Sequence, residues 1–196
     1  MSKRLFDILA AAIGLLLLLP LLLAVAAWIK LDSPGPVLFR QQRVGRRGVL
    51  FTILKFRTMA RRARSGPLLT VGQDCRVTRA GRLLRRTKLD ELPQLLNVLA
   101  GSMSLVGPRP EVPRYVACYP PATRALVLSV APGITDWAAI HFRDENALLA
   151  RAADPERAYI DTILPVKLAY YERYVQERTM ASDLHILLST LAALLR

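Results

Sequence analysis

The chain has 196 residues, with 28 lysines and arginines against 15 aspartates and glutamates, a net charge of +13, and 53% hydrophobic residues. That length suits one catalytic-size domain rather than two, and the apolar content excludes a disordered chain. Two cysteines (Cys75, Cys118) and two histidines (His141, His185) are too few for a disulfide framework or a His/Cys zinc site, so a reducing, cytosol-facing body is expected.

Ile8 to Ile29 is a run of 22 residues without a charge. As a straight helix it reaches ~33 Å, enough to cross a ~30 Å hydrocarbon core. It is long for a cleavable signal, and no small-residue cleavage site follows it. A membrane protein is expected. Pro20 removes the bond to the carbonyl of Leu16 and predicts a kink between Ile8–Leu19 and Leu21–Ile29, segments of ~18 Å and ~13 Å. Lys3 and Arg4 precede the run, and Lys30, Arg40, Arg43, Arg46 and Arg47 follow it. The positive-inside tendency draws both ends to the cytoplasm. A re-entrant hairpin broken at Pro20 satisfies both ends, whereas a kinked spanning helix leaves Lys3 and Arg4 outside. Either arrangement keeps residues 30–196 cytoplasmic.

Ser33-Pro34-Gly35-Pro36 marks a boundary, dividing a membrane-embedded segment, 1–35, from a second domain, 36–196. Val37-Leu38-Phe39 and Val49–Met59 read as short strands around a turn at Gly45–Gly48. Residues 60–80 read as a basic surface loop. Arg82–Lys88 and Leu92–Ala100 read as helices, the second stopped by Gly101, and Gly107–Pro110 and Pro132-Gly133 as rigid turns. Pro155–Glu177 reads as helix. Leu184, Leu187, Leu188, Leu191, Leu194 and Leu195 form a stripe that packs on the core or lies on the membrane surface.

The positive charge sits in one block. Residues 40–88 hold 15 basic residues and one acid, Asp74, while the remainder carries a net charge of −1. Such a block attracts polyanions such as nucleic acid, anionic lipid or phosphate-rich small molecules, or else serves as a solvated face. Nucleotide-binding glycine loops, HExxH and GxSxG are absent. What remains is Asp90-Glu91 at the end of the block, beside Arg85, Arg86 and Lys88. Neighbouring cations favour ionised carboxylates, which can hold Mg²⁺ or attack phosphorus. The alternative is that the pair complements a helix dipole. Arg109, stiffened between Pro108 and Pro110, is either a phosphate clamp or a water-facing side chain. Lys55 and Arg57 alternate with Ile53, Leu54 and Phe56, so they point into a cleft or into solvent. Arg143 follows the Pro132-Gly133 turn, and His141 reads as structural.

Together, Lys3-Arg4-Leu5-Phe6-Asp7, Lys55-Phe56-Arg57-Thr58-Met59, Leu89-Asp90-Glu91-Leu92-Pro93-Gln94, Ser104-Leu105-Val106-Gly107-Pro108-Arg109-Pro110 and Pro132-Gly133-Ile134-Thr135 resemble the bacterial sugar transferases. These are polyprenyl-phosphate phosphoglycosyltransferases, and the length matches the small monotopic type. The resemblance implies transfer of a sugar-1-phosphate from a UDP-sugar to a polyprenyl (undecaprenyl) phosphate with Mg²⁺, releasing UMP, as the first membrane step of a glycoconjugate pathway. It implies that Asp90 is the nucleophile forming a covalent phosphosugar intermediate, and that Glu91 is its partner, with Asp90 and Glu91 as metal ligands. Lys55, Arg85, Arg109 and Arg143 fall where the family's phosphate-contacting cations lie. The family's re-entrant helix breaks at Ser-Pro, whereas here the break is Leu19-Pro20. Where many members continue with Gly-Leu-Ala-Gln, this chain has Asp136-Trp137-Ala138-Ala139, so no particular sugar is implied.

The expected fold is α/β and mostly helical. It has a Pro-broken membrane hairpin followed by a compact catalytic domain of short strands and amphipathic interfacial helices on the cytoplasmic face of the bacterial inner membrane. The expected partners are UDP-sugar, polyprenyl phosphate and membrane lipid, with a homo-oligomer compatible and no nucleic acid. The competing reading is a membrane-anchored basic module that binds anionic lipid or nucleic acid without catalysis.

Overall fold

A computed structural model describes residues 2–60, 69, 71, 72 and 74–195. The fold is mostly helical, with two small two-stranded sheets. Helix α1 (Ser2–Asp32) is followed by strands β1 (Leu38–Val44) and β2 (Leu50–Phe56). Then come α2 (Arg79–Arg86), a short helical turn at Leu89–Glu91, and α3 (Gln94–Leu99). Strand β3 (Ser104–Val106) leads to α4 (Pro113–Val116), α5 (Pro121–Val127) and β4 (Gly133–Thr135). The remaining helices are α6 (Trp137–His141), α7 (Glu145–Leu149), α8 (Pro155–Ala158), α9 (Leu164–Glu177) and α10 (Met180–Leu195), with a π-helical turn at Tyr159–Ile163 between α8 and α9.

Helix α1 is long and apolar enough to cross a membrane. An 18-residue window reaches a mean hydropathy of 2.9 with only 11% of it buried. One stripe nonetheless faces the rest of the chain: Asp7, Ala11, Val25 and Ile29 are buried, and their spacing puts them on one side of a 3.6-residue helix. Ala11 packs in a cluster with Ile53, Leu95 and Ile186, and Val25 and Ile29 in another with Phe56 and Leu84. The other faces are open, Leu16 and Leu17 being 73% exposed and Leu31 87%.

The expected break into two helices at Pro20 is not seen, because α1 continues through the proline. Proline deletes one intrahelical bond, and helical backbone is kept on both sides of it. Both ends are also bonded to the same body. Near the start, Arg4 donates to the carbonyls of Val98 (2.7 Å) and Leu99 (3.1 Å), and Asp7 accepts from Ser104 Oγ at 2.8 Å and Leu105 N–H at 3.2 Å. Lys3 pairs with Asp183. At the far end, buried Arg57 donates to the carbonyls of Ile29 (3.1 Å), Ser33 (2.6 Å) and Pro34 (3.0 Å). A helix leaves its last carbonyls without partners and carries negative potential there, so a guanidinium is a fitting cap. Arg57 therefore points into neither a cleft nor solvent.

The β1–β2 hairpin is antiparallel, as two strands joined by a short turn must be, with Phe39 opposite Lys55 and Gln41 opposite Ile53. Strands β3 and β4 pair in parallel, Ser104 with Gly133 and Val106 with Thr135. They approach so closely that a Cβ on Gly133 would lie 2.1 Å from Gly107 N. Only glycine fits there, and the contact fixes the loop Gly107–Pro110 against the Pro132-Gly133 turn. Gly81 plays the same part in α2, where a Cβ would lie 2.1 Å from the carbonyl oxygen of Thr58. In α10 the buried positions are Asp183 and Ile186, whereas Leu184, Leu188 and Leu191 are exposed. The leucine stripe is thus largely on the surface. Residues 61–68, 70 and 73 of the expected loop 60–80 lie outside the described residues, and its last two residues begin α2.

Candidate active site

The acidic pair sits where α2, β2 and the loop after β3 meet. Thr87 ends α2, its hydroxyl donating to the Leu83 carbonyl at 2.8 Å, and Lys88 turns the backbone through a left-handed conformation, φ 57°. The turn Leu89–Glu91 follows, so Asp90 and Glu91 leave the backbone in different directions, as adjacent helical residues do.

Glu91 faces two cations. Lys55 Nζ, on β2, donates to Glu91 Oε1 at 2.9 Å, and Arg109 Nη1, between its two prolines, donates to Glu91 Oε2 at 3.1 Å. Arg109 Nη2 also bonds Oε1. Burial alone raises a carboxyl pKa, but Arg109 and then Lys55 outweigh it and hold Glu91 well below the usual carboxylate range. Glu91 in turn raises Arg109 further, while burial lowers Lys55 despite the pull of Glu91.

Asp90 is different. It is 8% exposed, and its Oδ1 is buried without a protein partner. Burial and the adjacent Glu91 raise its pKa, against the pull of Lys55, Arg85 and Lys88. Arg85 comes from α2, and its Nε donates to Thr58 Oγ1 at 2.9 Å, which fixes the side chain near the pair. A buried carboxylate oxygen with no hydrogen bond is uncommon and marks an acceptor open to something outside the protein.

Behind Arg109 stands Asp136, 1% exposed, whose Oδ1 accepts from Ala139 N–H at 2.9 Å and caps α6. Its Oδ2 and the hydroxyl of Tyr171 are buried without partners. Burial pushes Asp136 up to about 6.

Lys55, Arg85, Asp90, Glu91 and Arg109 are thus brought together from three stretches of sequence. Arg143 is not. Its Nη1 bonds the Ala193 carbonyl on α10, and among the described residues no contact joins it to the pair. Sequence reasoning also missed Thr58, Asp136 and Tyr171 as neighbours of this centre. Nothing local marks a threonine that anchors an arginine 27 positions away.

A group of three His, Cys, Asp or Glu side chains fit to hold a metal is absent among the described residues. Mg²⁺ commonly takes one or two carboxylates and completes its shell with phosphates and water. The open Asp90 Oδ1 suits that role, whereas both oxygens of Glu91 are engaged by cations.

Comparison with known proteins identifies the frame in which these residues sit. The profile of one family, described as bacterial sugar transferase, matches residues 1–196. The chain belongs to the bacterial sugar transferase family. It is 41% identical over 209 residues to the UDP-glucose:undecaprenyl-phosphate glucose-1-phosphate transferase of Caulobacter vibrioides, covering 100% of this chain and 70% of that one. It is 39% identical over 196 residues to the UDP-N-acetylgalactosamine-undecaprenyl-phosphate N-acetylgalactosaminephosphotransferase of Aeromonas hydrophila, covering 98% of this chain and 43% of that one. A third such relative, the Escherichia coli UDP-glucose:undecaprenyl-phosphate glucose-1-phosphate transferase, is 44% identical over 153 residues, 76% of this family member and 33% of the relative. This chain therefore spans less than half of two of the three relatives.

Proposed function

We propose that the chain transfers a sugar-1-phosphate from a UDP-sugar to undecaprenyl phosphate, with Asp90 as the nucleophile. The observation that carries this reading is the asymmetry of the pair: Glu91 is saturated by Lys55 and Arg109, while Asp90 keeps a buried, unbonded oxygen beside Arg85. The relatives' names, two for glucose-1-phosphate and one for N-acetylgalactosamine phosphate, support the reaction class and leave the sugar open.

In the first step an ionised Asp90 oxygen attacks the phosphorus that bears the sugar. A carboxylate–phosphorus bond forms, the bridging phosphorus–oxygen bond breaks, and UMP leaves with that electron pair. In the second step an oxygen of the lipid phosphate attacks the same phosphorus, and the bond to Asp90 breaks. The products are polyprenyl-diphosphate-sugar and the free carboxylate. Lys55, Arg85 and Arg109 orient the phosphates and stabilise their charge, which is most of what phosphoryl transfer requires. Asp90 would be the residue to hold Mg²⁺, which would supply further positive charge where the phosphates crowd together.

Helix α1 is read as embedded from one side. Its ends are bonded to one body at Val98–Leu99 and at Arg57, which supports an arrangement with both ends on the cytoplasmic face of the inner membrane. The open faces of α1 enter the lipid as a shallow re-entrant element, with Pro20 in its exposed middle.

The test of the chemistry is intact-mass analysis. Incubation with the correct UDP-sugar and no lipid acceptor is expected to release UMP and leave the protein heavier by one sugar-phosphate. Asp90→Asn is expected to gain no adduct and to lose transfer by about 10³-fold or more. Transfer at an undiminished rate in that variant overturns the covalent reading.

A further inference from the structure

Helix α2 combines two features that the transfer reaction does not use. At about 100° per residue, Arg82, Arg86, Arg79 and Leu83 fall within one arc of about 100°, and Ala80, Leu84 and Gly81 within the opposite arc. The second set is buried: Ala80 is 1% exposed, Leu84 is fully enclosed, and Gly81 lies against Thr58. The first set is exposed, with Leu83 at 38%. Arg85 lies between the two arcs and reaches Thr58 instead. Between Arg79 and Lys88 there is no acidic residue. Among the described residues no carboxylate pairs with Arg79, Arg82 or Arg86.

The position of α2 says what such a face meets. Leu84 packs in the cluster of Val25 and Ile29, so α2 lies beside the C-terminal half of α1. Its first turn is bonded to the end of that helix, Ala80 N–H donating to Asp32 Oδ2 at 3.2 Å. Lys30 is exposed in the last turn of α1. The arginine face therefore stands at the level where the apolar helix leaves the lipid, with Leu83 available to reach down. Guanidinium groups bind phosphate bidentately, and basic residues beside an anionic leaflet are drawn to it.

We infer that Arg79, Arg82 and Arg86 form a docking face for the headgroups of anionic phospholipids, separate from the catalytic pair and fixing the depth of the body against the membrane. The inference rests on the embedding of α1 proposed above, and the experiment separates the two. A photo-crosslinking amino acid is placed at Leu83, and in a second preparation at Leu16 on the open face of α1, in the full chain reconstituted into vesicles of mixed phosphatidylcholine and phosphatidylglycerol. Lipid adducts are then counted by mass. Position 16 is expected to capture lipid of both kinds in the proportion present. Position 83 is expected to capture the anionic lipid at least about threefold above its proportion, and this excess should fall with added salt. Arg79→Gln/Arg82→Gln/Arg86→Gln should abolish the excess, and the lysine triple variant, which keeps the charge, should retain most of it. Lipid adducts at 16 with none at 83, or with no anionic excess at 83, overturn the inference and leave the embedding intact. Absence of lipid adducts at both positions overturns both.

Discussion

Asp136 joins two duties in one side chain, since Oδ1 caps α6 through Ala139 N–H while Oδ2 is buried without a partner. Burial lifts its pKa from 3.8 to about 6, so the folded protein favours the protonated form. A raised carboxyl pKa contributes stability that is complete below the unfolded value and lost as pH rises through the folded one. The window runs from 3.8 to about 6, and the loss amounts to about 3 kcal/mol. Asp136→Asn keeps an oxygen for the cap and removes the titration. The stability difference between the variant and the native chain is therefore expected to shift in the variant's favour by up to about 3 kcal/mol from about pH 4 to about pH 7. Thermal or denaturant unfolding at several pH values reads this directly, and an unchanging difference rules it out. Arg109 and Lys167 pull the pKa the other way, and burial outweighs them.

Among the elements, the crossing of β3 and β4 is the least tolerant. A methyl group at Gly133 has backbone 2.1 Å away, so Gly133→Ala is expected to cost about 3 kcal/mol or more and to shift Arg109 off Glu91. Gly48→Ala provides the contrast. Its φ is +78° with open space around it, and the cost should stay near 1 kcal/mol. Calorimetry of both variants checks the ranking, and equal losses would falsify it. Elements of this kind were partly legible in the sequence. β-branched and aromatic content around the turn at Gly45–Gly48 marked the hairpin, and the helices read at Arg82–Lys88 and Leu92–Ala100 overlap α2 and α3, because those signals are local. Helical backbone runs through Pro20, and on either side of it α1 packs against residues between 53 and 186, contacts that no local propensity encodes. The acidic pair was legible through its cationic neighbours in sequence. The difference in bonding between its two members was not, because Lys55 and Arg109 reach Glu91 from 36 and 18 positions away. Arg143 lies apart from the pair, its partner Ala193 being 50 positions off.

For the molecule as a whole, the bonds at both ends of α1 support the topology proposed above, with both ends on one side of the membrane. A reporter fused ahead of Ser2 and another placed after Arg196 are expected to respond as cytoplasmic together. Opposite readings from the two would require Arg4 and Arg57 to release their carbonyls. The same stitching bears on how the protein is made. Lys3 finds Asp183 across 180 residues, and Ala11 shares its cluster with Ile186, so the seat of α1 is finished only when α10 exists. At about 5–20 residues per second, the greasy segment waits about ten to forty seconds after synthesis for its last partner. A ribosome-bound chain thus holds the segment unseated, in need of a chaperone or a lipid surface as temporary shelter. Its seat against the body is therefore completed late, once α10 has been made.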